Sequence, residues 1–171
     1  MSKINTLIDE QTLQNKVTEI AKKIEEDYKD KEIVFICILK GSIFFMTDLA
    51  KQIKNKIQLE FIKASSYGEN LISSGEVNIE LDLMADIEGK DVIMIEDIID
   101  TGNTLSFMIE HIKEKNPKTL KLCTLLDKEE RREKHINIDY TGFVIPDKFV
   151  IGYGLDFNEE YRNLSYIGYL N

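Results

Sequence analysis

Residues 92–107 read VIMIEDIIDTGNTLSF, and their order is chemically specific. An aliphatic run over 92–95 ends in two adjacent acids, Glu96 and Asp97. Asp100 follows, and the chain then breaks into Thr101, Gly102, Asn103 and Thr104. Adjacent carboxylates at the end of a strand suit the vicinal hydroxyls of a ribose, because each accepts hydrogen bonds from the sugar. The Thr-Gly-Asn-Thr segment places hydroxyls and closely spaced backbone N–H groups at the start of a helix expected over 105–115, a receptor for a phosphate dianion. Gly102 permits the turn that aims those groups inward. Ribose and phosphate one loop apart describe a 5-phosphoribosyl group. The plainer alternative is a helix capped by Asp100 or Thr101, with the two acids merely exposed. Two other nucleotide signatures, GxxxxGK[ST] and GxGxxG, are absent from the chain.

Such a string needs a framework that holds a strand end rigidly. Over 9–28, Leu13, Val17, Ile20, Ala21, Ile24 and Tyr28 recur at three- and four-residue steps, which predicts an amphipathic helix. EIVFICILKGS at 32–42 is a nearly continuous β-branched run suited to a strand covered on both faces, and SIFFMTDLAKQI reads as its returning helix. KIQLEFIKASSYG, the 92–107 unit and TLKLCTLLDKEERR repeat the strand theme, followed by DYTGFVIP, KFVIGYGLD and a short polar tail. This alternation predicts an α/β fold with a doubly wound, mainly parallel sheet flanked by helices, in one domain over 1–171. Ligands should bind at the carboxyl ends of its strands. Between 65 and 75, SSYGENLISSG is rich in Ser and Gly, with EVNIELDLM after it as an edge hairpin partner; the excursion reads equally as a lid or as a plain surface hairpin.

Bulk properties narrow the partners. A net charge of -9 and a pI of about 4.8 argue against general affinity for nucleic acid, which depends on neutralising phosphates with Lys and Arg. An anionic ligand would therefore need local donors and a metal. The polar start MSKINTLIDEQTLQNK and the longest apolar run, 33–39, argue against a signal peptide or membrane span, so a cytoplasmic location is expected. Cys37 and Cys123 lie inside aliphatic runs and read as small buried hydrophobes. His111 and His135 lack zinc-ligand spacing.

The 96–104 string resembles the signature of the phosphoribosyltransferase family. LKGS at 39–42, SSYG at 65–68, LLDKEERR from Leu125 and IPDKFVIGYGLDFNEEYRNL from Ile145 extend the resemblance over nearly the whole chain, in order. It is closest to the purine branch of the family, acting on hypoxanthine and guanine in purine salvage. The fold implied is the type I phosphoribosyltransferase fold, with a small hood and a flexible loop. The reaction implied is magnesium-dependent transfer of phosphoribose from 5-phosphoribosyl 1-diphosphate (PRPP) to a purine nitrogen, releasing pyrophosphate.

Carried over residue by residue, the resemblance makes Asp100 the group that exchanges a proton with purine N7. Glu96 and Asp97 would hold the ribose, and Thr101, Gly102, Asn103 and Thr104 the 5-phosphate. Lys40 and Gly41 would offer backbone N–H groups to pyrophosphate, with a cis peptide between Leu39 and Lys40, and Arg162 would join them. Lys128 would serve the 6-oxo group, although DKEERR alone reads as a solvated charge run. Phe149 would stack on the purine, and Val150 would offer backbone groups to its edge. Ser66 and Tyr67 would belong to the lid, while Glu96, Asp97 and Asp156 are the carboxylates available to magnesium. Ile151 and Gly154 fall where relatives vary, leaving xanthine use open. Relatives assemble as dimers or tetramers, so a homo-oligomer is expected. A regulator that binds RNA on the same fold is the rival reading, disfavoured by the acidic charge.

Overall fold

The computed structural model describes residues 4–66 and 77–170. Six strands form the main sheet: β2 (Ile33–Ile38), β3 (Ile57–Ser66), β4 (Val77–Leu81), β5 (Asp91–Ile99), β6 (Thr119–Asp127) and β7 (Tyr140–Val144), in the order β4-β3-β2-β5-β6-β7. All neighbours are parallel except the edge strand β4, which runs antiparallel to β3. The helices α1 (Glu10–Tyr28) and α2 (Ile43–Gln52) lie on one face, and α3 (Asn103–Lys113) on the other.

Strand periodicity explains the two layers. Phe35, Cys37, Ile93 and Ile95 point into the core beneath α1 and α2, while Val34, Ile36, Val92 and Met94 point into the core beneath α3. Every residue of β2 is buried, as a strand covered on both faces requires. Burial pushes the Cys37 thiol up to about 11, which fits a packing role rather than a reactive one. Asp9 caps α1 by accepting a hydrogen bond from the Thr12 N–H at 2.8 Å.

Three expectations need correction. Strand β5 continues past Ile95 to Ile99, because β6 goes on pairing with it through Glu96, Ile98 and Ile99. Helix α3 begins at Asn103, with Gly102 at φ 84° as its N-cap, so neither Asp100 nor Thr101 caps it. The polar beginning and tail also contain strands: β1 (Ile4–Ile8) and β9 (Ile167–Leu170) pair with each other, and β9 pairs with β8 (Val150–Ile151), all antiparallel. This three-stranded sheet is a small hood over the carboxyl end of the main sheet. No helix among the described residues is long and apolar enough to cross a membrane.

Candidate active site

The crevice arises from strand pairing. β2 and β5 pair only from Val34–Val92 to Cys37–Ile95 and then diverge. The chain crosses from one side of the sheet to the other between these two strands, the switch point at which open α/β sheets bind ligands. A cleft of about 360 Å³ opens there. It gathers Lys40 and Gly41 from the turn after β2, Glu96 and Asp97 from β5, and Asp156 and Arg162 from beneath the hood. Asp100 and the 101–104 loop line it as well.

Glu96 is buried and Asp97 partly so, and among the described residues neither makes an ion pair. Burial pushes both carboxyls above the ordinary carboxylate range, and for Glu96 the neighbouring Asp97 charge adds to the effect. Among the described residues their hydrogen-bond donors are backbone: Asp97 N–H donates to Glu96 Oε1 at 3.0 Å, and Ile98 N–H to Asp97 Oδ1 at 2.8 Å. Among these residues the pair has neither a cation nor a hydroxyl donor. The donor set fits magnesium, which binds through one or two carboxylates and leaves its remaining positions to water and substrate oxygens. No group of three or more His, Cys, Asp or Glu that could hold a metal occurs among the described residues. Asp156, the third candidate, is paired with Arg162 at 3.0 Å.

The 101–104 loop turns sharply into α3. Gly102 is buried in a left-handed conformation, and a Cβ there would meet Ile136 Cδ1 at 2.7 Å. The α3 N-cap, Gly102, has no side chain to cap the helix; the Asn103 N–H donates to Thr101 Oγ1 at a long 3.4 Å, and the following first-turn N–H groups face the loop as an anion site would need. On the opposite wall, the Leu39–Lys40 peptide is cis. Gly41 sits so close to β5 that a Cβ would fall 1.7 Å from Asp97 Oδ2. Gly154, at φ 104°, presses on it from the other side, where a Cβ would lie 1.9 Å from the Gly41 carbonyl oxygen. Arg162 closes this stack by donating through Nη1 to the Gly154 carbonyl at 2.7 Å.

The residues expected at the purine form a second group beside the cleft. Lys128 is buried, its side chain only 9% exposed, and Nζ lies 3.3 Å from Asp147 Oδ1. A solvated lysine in a charge run would not be placed so. Phe149 is 56% exposed, with its ring edge-on to Phe157 at 5.7 Å, leaving an aromatic face for a base. The Val150 side chain belongs to the core, and its backbone is in register with Tyr169.

Arg131, which the sequence reading passed over, links the two groups. Its Nε lies 2.6 Å from Asp100 Oδ1, at an angle that leaves this oxygen without a hydrogen bond, and its Nη1 lies 3.3 Å from Asp147 Oδ2. The chain Asp100–Arg131–Asp147–Lys128 therefore links the cleft to the buried lysine. Arg131 was visible only as one cation in DKEERR, and Asp147 only as part of IPDK. Tyr67 lies outside the described residues, as does most of the 65–75 excursion; the Ser66 backbone pairs with Val77.

Residues 4–158 match the phosphoribosyl transferase domain family. The bifunctional protein TilS/HprT of Listeria monocytogenes is 48% identical over 164 residues, which are 96% of this chain and 25% of that protein. The chain thus spans about a quarter of the length of its bifunctional relatives. The hypoxanthine-guanine phosphoribosyltransferase of Bacillus subtilis is 46% identical over 164 residues, covering 96% of this chain and 91% of that one. A crystal structure of a hypoxanthine-guanine phosphoribosyltransferase from Bacillus anthracis is similar with a TM-score of 0.94 and 48% identity, covering 100% of both chains.

Proposed function

The chain belongs to the phosphoribosyltransferase family, and from that premise we propose that it transfers 5-phosphoribose from PRPP to hypoxanthine or guanine, giving IMP or GMP and pyrophosphate. The observation that carries the choice of base is the buried Lys128 ammonium, held by Asp147 two residues before the exposed ring of Phe149. An ammonium has three donors and no acceptor, so it satisfies a 6-oxo group and would meet the 6-amino group of adenine donor to donor.

In this reading a bond forms between the purine nitrogen and ribose C1 as the bond from C1 to the pyrophosphate oxygen breaks. The Thr101–Thr104 N–H and hydroxyl groups anchor the 5-phosphate, and Glu96 and Asp97 orient the ribose hydroxyls, converting an encounter into a positioned reaction. Asp100 takes the purine proton. Lys40, Gly41 and Arg162 receive the charge that develops on the leaving group, which is the form of stabilisation that most lowers such barriers. Val150 presents backbone groups to the purine edge. Magnesium, when bound, neutralises diphosphate oxygens; Glu96, Asp97 and Asp156 would hold it, directly or through water.

The remaining parts of the reading concern setting. Ser66 and Tyr67 cover the reacting centre, the protein works in the cytoplasm, and copies assemble as a dimer or tetramer. Product formation from hypoxanthine, guanine, xanthine, adenine and uracil, with PRPP and magnesium, tests the substrate class. Activity confined to 6-oxopurines supports it, and equal use of adenine overturns it.

A further inference from the structure

The pyrophosphate wall holds an arrangement that the transfer reaction does not itself require. Glu159 Oε2 lies 2.8 Å from Lys40 Nζ, and its Oε1 lies 3.1 Å from Arg162 Nη2. One carboxylate from the turn below the hood thus joins the loop after β2 to the guanidinium on the same wall, spanning the two cations on the side where a diphosphate would sit. Its backbone is committed to this pose: φ is 64°, and its N–H donates to Asp156 Oδ2 at 2.9 Å. Its side chain is not committed, being 66% exposed and able to swing into solvent without disturbing packed neighbours. Hydrogen bonds from Lys40, then Arg162, hold its carboxyl below the ordinary range, so it is an anion at neutral pH.

Arg162 would keep its aim if Glu159 left. Nη1 stays on the Gly154 carbonyl at 2.7 Å and Nη2 on Asp156 Oδ1 at 3.0 Å. Its Nε is buried with no partner among the described residues. A donor in that condition has a hydrogen bond still to make.

We propose that Glu159 is a positioning residue that stands in for pyrophosphate, balancing Lys40 and Arg162 until the diphosphate displaces it and returning as pyrophosphate leaves. The inference rests on the assignment of Lys40, Gly41 and Arg162 to pyrophosphate made above. Competition by an internal anion weakens binding of PRPP and pyrophosphate alike. It therefore speeds release of a product that would otherwise be held by several charge-assisted contacts. The purine, bound at Lys128 and Phe149, is outside its reach.

Glu159→Gln keeps side-chain length and backbone demand and removes the charge. Calorimetric titration with magnesium pyrophosphate should show binding tightened by about fivefold, the scale of an exposed ion pair. The KM for PRPP should fall by a similar factor with the KM for hypoxanthine unchanged. Glu160→Gln removes the same charge one residue away and should shift neither value more than about twofold. Arg162→Gln should weaken pyrophosphate binding, and adding Glu159→Gln to it should yield a smaller gain than in the parent protein. If Arg162→Gln leaves pyrophosphate binding unchanged, the pyrophosphate assignment fails and the inference with it. If Arg162→Gln weakens binding but Glu159→Gln does not tighten it, or Glu160→Gln tightens it equally, only the role of Glu159 is overturned.

Discussion

Strand β5 carries acids at both ends, and the protein treats them in opposite ways. At its start Asp91 is buried but accepts a 2.6 Å hydrogen bond from the Thr119 hydroxyl directly across the strand pair. At its far end Glu96 and Asp97 form no ion pair among the described residues, and burial drives both toward the protonated form. Four residues of aliphatic strand separate a satisfied carboxylate from a frustrated pair. The first acid ties two strands together, whereas the second pair holds interactions open for something absent from the chain itself. Buried acids are informative about function when their partners are missing, not merely when they are buried.

The sharpest break in that comparison should come at the mouth of the frustrated end. Asp100→Asn keeps the shape and removes proton exchange, so kcat should fall by about 10²–10⁴-fold with the circular dichroism spectrum unchanged. Near-normal turnover at saturating substrates would remove Asp100 from its role. Next in size is Lys128→Gln, which replaces a buried ammonium by a group able to donate or accept. Catalytic efficiency with hypoxanthine should drop by about 10–100-fold, and the adenine-to-hypoxanthine ratio should rise. An unchanged ratio would place base selection elsewhere.

The smallest effects compare the two ends of β5 directly. Asp91→Ala should destabilise the fold by about 1–2 kcal/mol, because the Thr119 hydroxyl loses its acceptor, and leave kcat/KM alone. Glu96→Gln should do the reverse, raising Tm by about 2–4 °C while impairing PRPP binding. The sign follows from proton linkage. A carboxyl whose pKa is raised by folding holds protons more tightly in the native state, so its contribution to stability declines as pH rises from the ordinary carboxylate value through the raised one. Glu96→Gln should flatten that decline in ligand-free protein, measured as Tm against pH; a slope steeper than that of the parent would contradict the account.

Much of this geometry was legible in the order of residues. VIMIEDIIDTGNTL announced a strand, an acidic end and an anion-binding turn because each step is local, and α1 was legible because its apolar stripe has a clear helical period. The hood was not. INTLI and IGYL are short: INTLI becomes a strand by pairing with a segment more than 150 residues away, and IGYL by pairing with INTLI and with Val150–Ile151. Where β5 ends was hidden for a related reason: Glu96 and Asp97 look like a terminus, yet β6 continues the ladder beside them. Lys128 and Arg131 shared one charge run, and only the fold separates the buried cation from the one that reaches across to Asp100. Glu159 and Gly154 gave no local signal, since their importance lies in contacts with a loop more than 110 residues earlier.

The hood has a consequence for chain connectivity. Ile4 lies opposite Leu170 in the β1–β9 register, so a linker of a few residues would join the two strands without crossing the cleft. The ring so formed can be reopened at the exposed turn around Asn116, which lies before β6 at the amino end of the parallel strands, whereas the crevice lies at their carboxyl ends. Every contact of the crevice would keep its partners while the order of elements along the chain changed. A circular permutant cut there should fold and retain turnover, making the architecture of the site separable from the order in which its parts are made.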